Sequence, residues 1–256
     1  MENDYTIASV VRALEVLKLF DSDHEKMTLT EIAQRSGVTK SSVLRILASC
    51  EQTGFIKYDP DTRQYRLGIE IYRLAHTAYD FLGLEGTAMP YMRKAVDETG
   101  LVSHLGTVED DHVLIVSKVW PKNAAENIVM FSRVGGIVPV HCTGIGKVMT
   151  AFSPPDIQRN LLDNCGFERY TERTICDRGQ FAEELAQIRA RGYATTIGEH
   201  EPYIECITYP VYGLSGKLAG AVSLTGLSQS FDPQREQEII RMVREMSIGI
   251  SKELGA

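Results

Sequence analysis

The stretch "TLTEIAQRSGVTKSSVLRILASCEQTG", Thr28 to Gly54, constrains the fold more than any other part of the chain. Thr28 and Glu31 have the spacing of a capping box, which starts a short helix. Gly37 supplies the positive φ that ends it in a tight turn. Thr39 is placed to cap a second helix with apolar face Val43, Ile46, Leu47 and Cys50, stopped by Gly54. Ala33 is small where the two helices would cross. Two short helices around "SGVT" predict a helix-turn-helix.

The flanks extend that prediction. "SVVRALEVLKLF" has helical spacing at Val10, Val11, Leu14, Val16, Leu17 and Phe20, with Ser9 as its expected N-cap. After Gly54, Phe55–Tyr58 and Gln64–Leu67 read as strands around the turn "DPDT", which makes a wing. The net charge of −7 argues against indiscriminate binding to nucleic acid. Residues 34–66 nevertheless hold Arg35, Lys40, Arg45, Lys57, Arg63 and Arg66 against Glu51, Asp59 and Asp61. With Val43, Ile46 and Leu47 turned inward, Lys40, Ser41, Ser42 and Arg45 face outward at the start of the third helix. That end of a recognition helix reaches base edges in the major groove. Arg45 suits a guanine, Lys40 a phosphate, and the hydroxyls of Thr39, Ser41 and Ser42 the backbone. Arg63 on the wing suits backbone or minor groove. The bland reading is a small helical module with a solvated polar face; the basic third helix and the wing together favour DNA.

Beyond the wing the pattern changes. Residues 1–68 are expected to be the DNA-binding domain and residues 69–83 a linker helix. That helix is apolar on more than one side (Ile69, Ile71, Tyr72, Leu74, Ala75), as if packed between neighbours or against a second subunit. Residues 84–256 are expected to form one α+β domain. Its first helix, Leu84 to Thr99, carries Pro90, which demands a break or kink. "LVSHLGTV" and "VLIVSKVW" read as a hairpin around "EDDH", and "NIVMFSRVG" as a third strand. A short helix begins near Thr143, another at "SPPDIQRNLLDNC" with Ser153 as cap, and a longer one runs from Asp177 to Arg191 with Gly192 as its stop. "CITYPVYG" and "KLAGAVSLTGL" form a second hairpin, and an amphipathic helix closes the chain. Strand pairs with inserted helices predict an antiparallel sheet with helices on its faces.

Several chemistries compete for "VPVHCTGIGKVMTAF", Val138 to Phe152. A phosphate loop fails at both ends: His141 stands where the first glycine belongs, and Val148 where a hydroxyl should meet magnesium. His104, His112, His141 and Cys142 have no recognisable metal-ligand spacing, so no metal and no cofactor is expected. Cys142 or Cys206 as the nucleophile of an enzyme remains an alternative. However, His141 and Cys142, as neighbours on an extended strand, would point apart. The last reading is a ligand pocket. A helix starting at Thr143 aims free N–H groups at an anion, and Gly144 and Gly146 allow close approach. Ser223 and Thr225 share one face of "AVSLTG". Lys147 suits either a carboxylate ligand or a structural ion pair.

The five cysteines are odd in number and form no CxxC pair, which points to reduced thiols in the cytoplasm. No apolar run is long enough for a membrane span, and the acidic start "MENDYTIASVV" is unlike a secretory signal.

Nearly the whole chain, about Ile7 to Leu254, resembles the IclR family of bacterial transcription factors. The resemblance rests on ordered blocks: "SVVRALEVLKLF", "LTEIAQRSGVTKSSVLRIL", "YRLG", "SRVGGIVPVHCTGIGKVMTAF", "ERTI", "QIRARGYA" and "CITYPVYGLSGKLAGAVSLTG". It implies a winged helix-turn-helix, a linker helix and a GAF-like sensor domain with a central antiparallel sheet. It also implies a homodimer or dimer of dimers on operator double-stranded DNA. The implied effector is a small organic acid (sugar acid, keto acid or aromatic acid). Carried over by position, effector contacts fall at Thr143, Gly144, Ile145 and Gly146, at Thr196, at Cys206, and at Ser223 and Thr225. The chain departs from the family in "TTIGEHEPYIEC", with Thr196 at a position that can be Asp and Tyr203-Ile204 where Gly is common.

Overall fold

Thr28 begins a helix for the reason its spacing suggests. Its side chain accepts from the Glu31 N–H, and the Glu31 carboxylate accepts from the Thr28 N–H at 2.7 Å. The computed structural model describes residues 5–21, 23–78, 81–122 and 130–256. The chain divides into two units, Met1–Asp80 and Phe81–Ala256.

The first unit contains α1 (Ala8–Leu17), β1 (Met27–Thr28), α2 (Leu29–Ser36), α3 (Lys40–Gln52), β2 (Ile56–Asp59), β3 (Gln64–Leu67) and α4 (Ile69–Ala78). Gly37 adopts φ 66° and turns the chain between α2 and α3. Val16, Phe20, Ile32, Ala33, Val43 and Leu47 close the three-helix core, joined by Ile56 and Tyr65 from the wing. The wing hairpin is antiparallel, and β1 adds a two-residue strand to its other edge. Two residues are too few for hydropathy to reveal a period.

Two expectations change here. Helix α1 starts after Ile7 rather than Ser9. Its stripe also splits: Val16 and Phe20 enter the core, whereas Val10, Val11 and Leu14 stay exposed. Of the expected 69–83 linker helix, residues 79–80 lie outside the described residues; α4 runs to Ala78 and the next helix begins at Phe81. On α4, Ile69, Tyr72 and Leu74 are exposed.

The second unit is built on a five-stranded, wholly antiparallel sheet. Helix α5 (Phe81–Thr99) leads to β4 (Val102–Glu109) and β5 (His112–Val119). Helices α6 (Gly144–Phe152), α7 (Pro155–Asp163) and α8 (Arg178–Arg191) follow, then β6 (Ala194–Ile197), β7 (Ile204–Tyr212), β8 (Leu218–Leu227) and α9 (Pro233–Glu253). The spatial order is β5-β4-β8-β7-β6. Asp110 and Asp111 both have positive φ, as a two-residue hairpin turn requires.

Alternation along the strands sorts two cores. Leu105, Ile207, Val211, Val222 and Leu224 meet Leu84, Met92 and Val96 of α5 and Ile239, Val243 and Ile250 of α9. Helices α6 and α8 pack a second core on the other face, with Val148, Met149, Phe181, Leu185 and Ile188. Helix α5 runs through Gly83, Gly86 and Pro90 without interruption, against the break expected there. Its apolar stripe outweighs the bond that proline removes, and the carbonyl that the ring crowds belongs to Gly86, which can yield. Helix α7 starts at Pro155 with Pro154 as its N-cap, one residue beyond the Ser153 start.

The expected strand over 127–135 is not found: residues 127–129 lie outside the described residues, and 130–135 form no strand. Ile137 instead makes an isolated bridge to Leu114. Strand β6 was not foreseen, since "ATTI" is short and its threonines blur the apolar pattern. No helix among the described residues is long and apolar enough to cross a membrane.

Candidate functional site

On the first unit the exposed face of α3 carries the polar residues singled out above. Lys40, Ser41 and Arg45 are exposed, and so are Thr39 and, on the wing, Arg63; Ser42 is half-buried. Thr39 is the N-cap by backbone geometry, but its hydroxyl does not cap the helix. It donates to Ser42 Oγ at 3.0 Å and lies 3.3 Å from Ser41 Oγ. Buried Val43 and Leu47 hold α3 in the core and so turn Lys40 and Arg45 outward.

On the second unit the residues of interest meet at a cavity on the α6 side of the sheet. Register builds it. Thr196 on β6 pairs with Cys206 on β7, which pairs with Thr225 on β8. The next row is Thr208, Ser223, His104 and Lys118, across β7, β8, β4 and β5. All seven project from one face, since side chains two apart on a strand share a side.

Thr143, Gly144 and Ile145 close the cavity at the start of α6. Thr143 Oγ1 accepts from the Gly146 N–H at 3.1 Å and donates to Pro139 O at 2.6 Å. Helix α6 therefore ends squarely against the sheet, with first-turn N–H groups that have no intrahelical acceptor. A Cβ on Gly144 would sit 2.2 Å from Thr208 Oγ1 and 3.0 Å from Cys206 Sγ, so only glycine lets the helix come this close. The cavity offers the centres of water-sized molecules about 80 Å³, room for roughly five or more waters or one small organic molecule.

Thr143, Gly144, Ile145, Thr196, Cys206, Ser223 and Thr225 all line this cavity. Gly146 does not: it faces Pro139 O and Val140 Cα, where a Cβ would collide at 2.6 Å. Other lining residues were missed: His104, Ser132, Cys142, Glu199, His200 and Glu201. His104 sits within hydrogen-bond distance of Ser132 Oγ (2.9 Å) and Thr225 Oγ1 (3.3 Å). Burial, helped by the charge of Lys118, pushes its pKa down to about 3, so the ring is neutral. The sequence brought up His104 only as a metal ligand without the right spacing, and nothing local named its partners. The loop at 198–201 is tied down by the "ERTI" block, since Thr174 Oγ1 donates to Glu199 O at 2.7 Å. Thr171 Oγ1 donates to Gly198 O at 2.6 Å.

Lys147 is resolved as a structural cation. It is 1% exposed, donates to Glu199 Oε1 at 2.7 Å and lies 3.5 Å from Glu184 Oε1. Arg191 donates to the same Glu184 oxygen at 3.1 Å. Burial raises the Glu199 pKa against the pull of Lys147.

The nucleophile alternative loses its chemistry. Burial pushes the Cys142 thiol up to about 12 and raises Cys206 as well. His141 does not serve Cys142; its Nδ1 lies 3.4 Å from Cys165 Sγ. Among the described residues no three His, Cys, Asp or Glu side chains form a metal-binding group.

Comparison with known proteins agrees with both halves. The IclR helix-turn-helix domain model matches residues 9–60, and the bacterial transcriptional regulator IclR C-terminal model matches residues 76–252. The chain belongs to the IclR family. It is a DNA-binding transcriptional regulator, and the family is one of regulators rather than enzymes. The HTH-type transcriptional regulator BhcR of Paracoccus denitrificans is 32% identical over 98% of this chain and 90% of its own. XynR of Escherichia coli K12 is 28% identical over 97% and 98%. An IclR transcriptional regulator from Alicyclobacillus acidocaldarius superposes with a TM-score of 0.79, at 28% identity, over 98% of this chain and 100% of its own. An IclR homologue from Microbacterium hydrocarbonoxydans, solved with 4-hydroxybenzoate, has a TM-score of 0.84 at 23% identity over 96% and 99%. This last likeness speaks for the fold alone.

Within this IclR-family chain, removing Lys147 leaves the largely buried carboxylate of Glu199 without its cation, whereas Glu184 keeps Arg191. Lys147→Met should cost about 3–5 kcal/mol, measured as the urea unfolding free energy. Adding Glu199→Gln should recover part of the loss; strictly additive losses would show that the two residues do not interact.

Proposed function

We propose that this IclR-family regulator binds operator DNA through residues 1–68 and a small organic acid through the cavity in residues 84–256, with 69–83 as the link. On this reading the acid changes operator affinity. The observation that carries it is the convergence of a helix N-terminus, two hydroxyls on one strand and a neutral histidine on one cavity. Such a terminus suits a carboxylate, and the side-chain hydroxyls give it direction. Thr143, Gly144, Ile145, Thr196, Cys206, Ser223 and Thr225 would contact the acid, and Gly146 would support that wall by its close packing. The bound 4-hydroxybenzoate of the Microbacterium homologue is consistent with an acid as ligand. Binding would shift the population between domain arrangements that differ in affinity for DNA.

On the DNA side, Thr39, Lys40, Ser41, Ser42, Arg45 and Arg63 form the proposed contact surface. Exposed Lys40 and Arg45 on one face of α3 support it. A second copy of the chain would cover the apolar patch left open on α1. Ile7, Val10, Val11 and Leu14 are 65%, 51%, 41% and 53% exposed, too much for an isolated helix face in water. A homodimer or dimer of dimers in the cytoplasm, with half-sites about a helical turn or a multiple apart, follows from this proposal.

Lys40→Ala should reduce the slope of log affinity against log salt by about one unit. Arg45→Ala should flatten base preference at one position, by about 1–3 kcal/mol. Anisotropy titrations over a salt series and a selected-sequence profile measure both, and unchanged values would remove the residue from the contact surface. A panel of organic acids should contain one that shifts DNA affinity in the wild type and fails to do so in Thr225→Val. A shift that survives in the variant would place the acid elsewhere. In sedimentation equilibrium, Val11→Glu should move the protein toward monomer; an unchanged mass would exclude the α1 patch as the contact.

A further inference from the structure

We infer that Cys165 is a nucleophilic thiol served by His141 as its base, and that the groove in front of it takes up flat conjugated electrophiles, the α,β-unsaturated carbonyl compounds. This second site lies in the same unit as the effector cavity but does not depend on it.

Hydrogen bonding defines the pair. His141 is buried and Cys165 half-buried. His141 Nε2 lies 2.8 Å from Glu168 O. A carbonyl oxygen can only accept, so Nε2 carries the hydrogen of the neutral ring and Nδ1 keeps a lone pair. That lone pair faces Cys165 Sγ at 3.4 Å, and the thiol donates to it. A nucleophile, a base within reach and a third group that orients the base are the parts of an activated side chain. The other four cysteines differ. Cys50, Cys142 and Cys206 are buried. Cys176 is half-buried like Cys165, but it donates to Thr174 O at 3.4 Å, and a carbonyl cannot take its proton.

The charges around the pair keep it neutral at rest. Burial lowers the His141 pKa against the pull of the Glu168 carbonyl, and His200 and Lys147 add to the lowering. Burial raises the Cys165 thiol, partly offset by the Phe167 N–H and the Arg178 guanidinium. Tyr170, also at the pair, is raised by burial and stays un-ionised. The proton therefore moves only as the new bond forms. Sγ attacks the β carbon, the thiol proton passes to Nδ1, and the C=C π pair becomes an enolate that takes that proton at its α carbon. Sulfur and hydrogen add across the double bond, and nothing leaves.

The groove selects the electrophile. It offers the centres of water-sized molecules about 640 Å³, which admits a substituted ring. Phe131, Phe167, Tyr170 and His200 line it together with the pair. The rings adjoin one another: centroids lie 4.7 Å apart for Tyr170 and His200, 5.4 Å for His141 and Phe167, and 6.1 Å for His141 and Tyr170. Such walls favour a flat conjugated partner that stacks on them or meets their edges. A peroxide or a small alkyl halide has no such surface. Ser132, Val138 and His200 line the effector cavity as well, so an adduct on Cys165 would bear on a shared wall.

The test treats the full-length protein with N-phenylmaleimide and follows each cysteine by peptide mass spectrometry. Cys165 is expected to react about tenfold or more faster than Cys176. His141→Gln is expected to slow Cys165 by about tenfold or more and to leave Cys176 within about twofold. In the wild type the Cys165 rate should stay nearly flat from about pH 6.5 to 8, where an unassisted thiol climbs about tenfold per unit. That profile and the ranking need no variant, so they stand even if His141→Gln misfolds. With iodoacetamide the preference for Cys165 should be lower by about threefold or more. Cys176 or a buried thiol reacting first, a tenfold climb per unit at Cys165, or a folded His141→Gln variant without effect would overturn the pair. An equal preference with iodoacetamide would overturn the electrophile class. Neither result bears on the effector-site reading, which is tested by its own acids.

Discussion

The register of one antiparallel sheet governs the sensor half of this protein. Cys206 opposite Thr225, and Ser223 opposite His104, set two rows of polar side chains on one face. The same pairing puts Ile207, Val222 and Leu224 on the other, under α5 and α9. A slip of one residue would bury the hydroxyls among leucines and turn the leucines into the cavity. The hydrophobic demand of one face thus holds the polar face in place, and the site costs the fold little extra specification.

Helix α6 closes the site, and its position is over-determined. Gly144 admits the helix to the sheet, Gly146 admits it to the Pro139 segment, and Thr143 ties the first turn to Pro139 O. Lys147, one turn further in, binds the helix to Glu199 of the cavity wall and to Glu184 of α8. A buried cation is expensive to desolvate, so it is tolerated only with close carboxylates around it. The consequence is mechanical: the wall that carries Glu199 and the helix that ends at Thr143 move together or not at all.

Much of this was legible in the chain. The capping box at Thr28, the left-handed Gly37, the Asp110-Asp111 turn and the Asp177 and Gly192 helix limits are local devices. Each works through residues a few positions apart, so sequence spacing suffices to read it. The pocket face of β8 was equally legible from alternation at Ser223 and Thr225. What failed was non-local. The stripe on α1 has helical spacing, but spacing does not say which side meets a partner, and Val10, Val11 and Leu14 lie outside the core. Pro90 breaks an isolated helix, yet α5 continues through it, held in the core by Leu84, Met92 and Val96. Ser9 was a plausible cap by type, but the chain enters α1 two residues earlier than that cap allows.

By itself, then, the sequence determined a helix-turn-helix with a wing, an antiparallel α+β domain, and the hydroxyl and glycine residues of a ligand wall. These follow from period, capping and turn chemistry, which act between near neighbours. Only the tertiary structure decided that Lys147 is an ion-pair partner of Glu199 and Glu184, and that His104, Ser132 and Glu201 face the same space. It also decided that Cys142 is an inert thiol. Those assignments depend on residues from about 30 to 120 positions apart being brought within hydrogen-bond reach or shut away from water together. Burial keeps the His104 ring neutral and raises the Cys142 thiol, and burial is not written in the local order of residues.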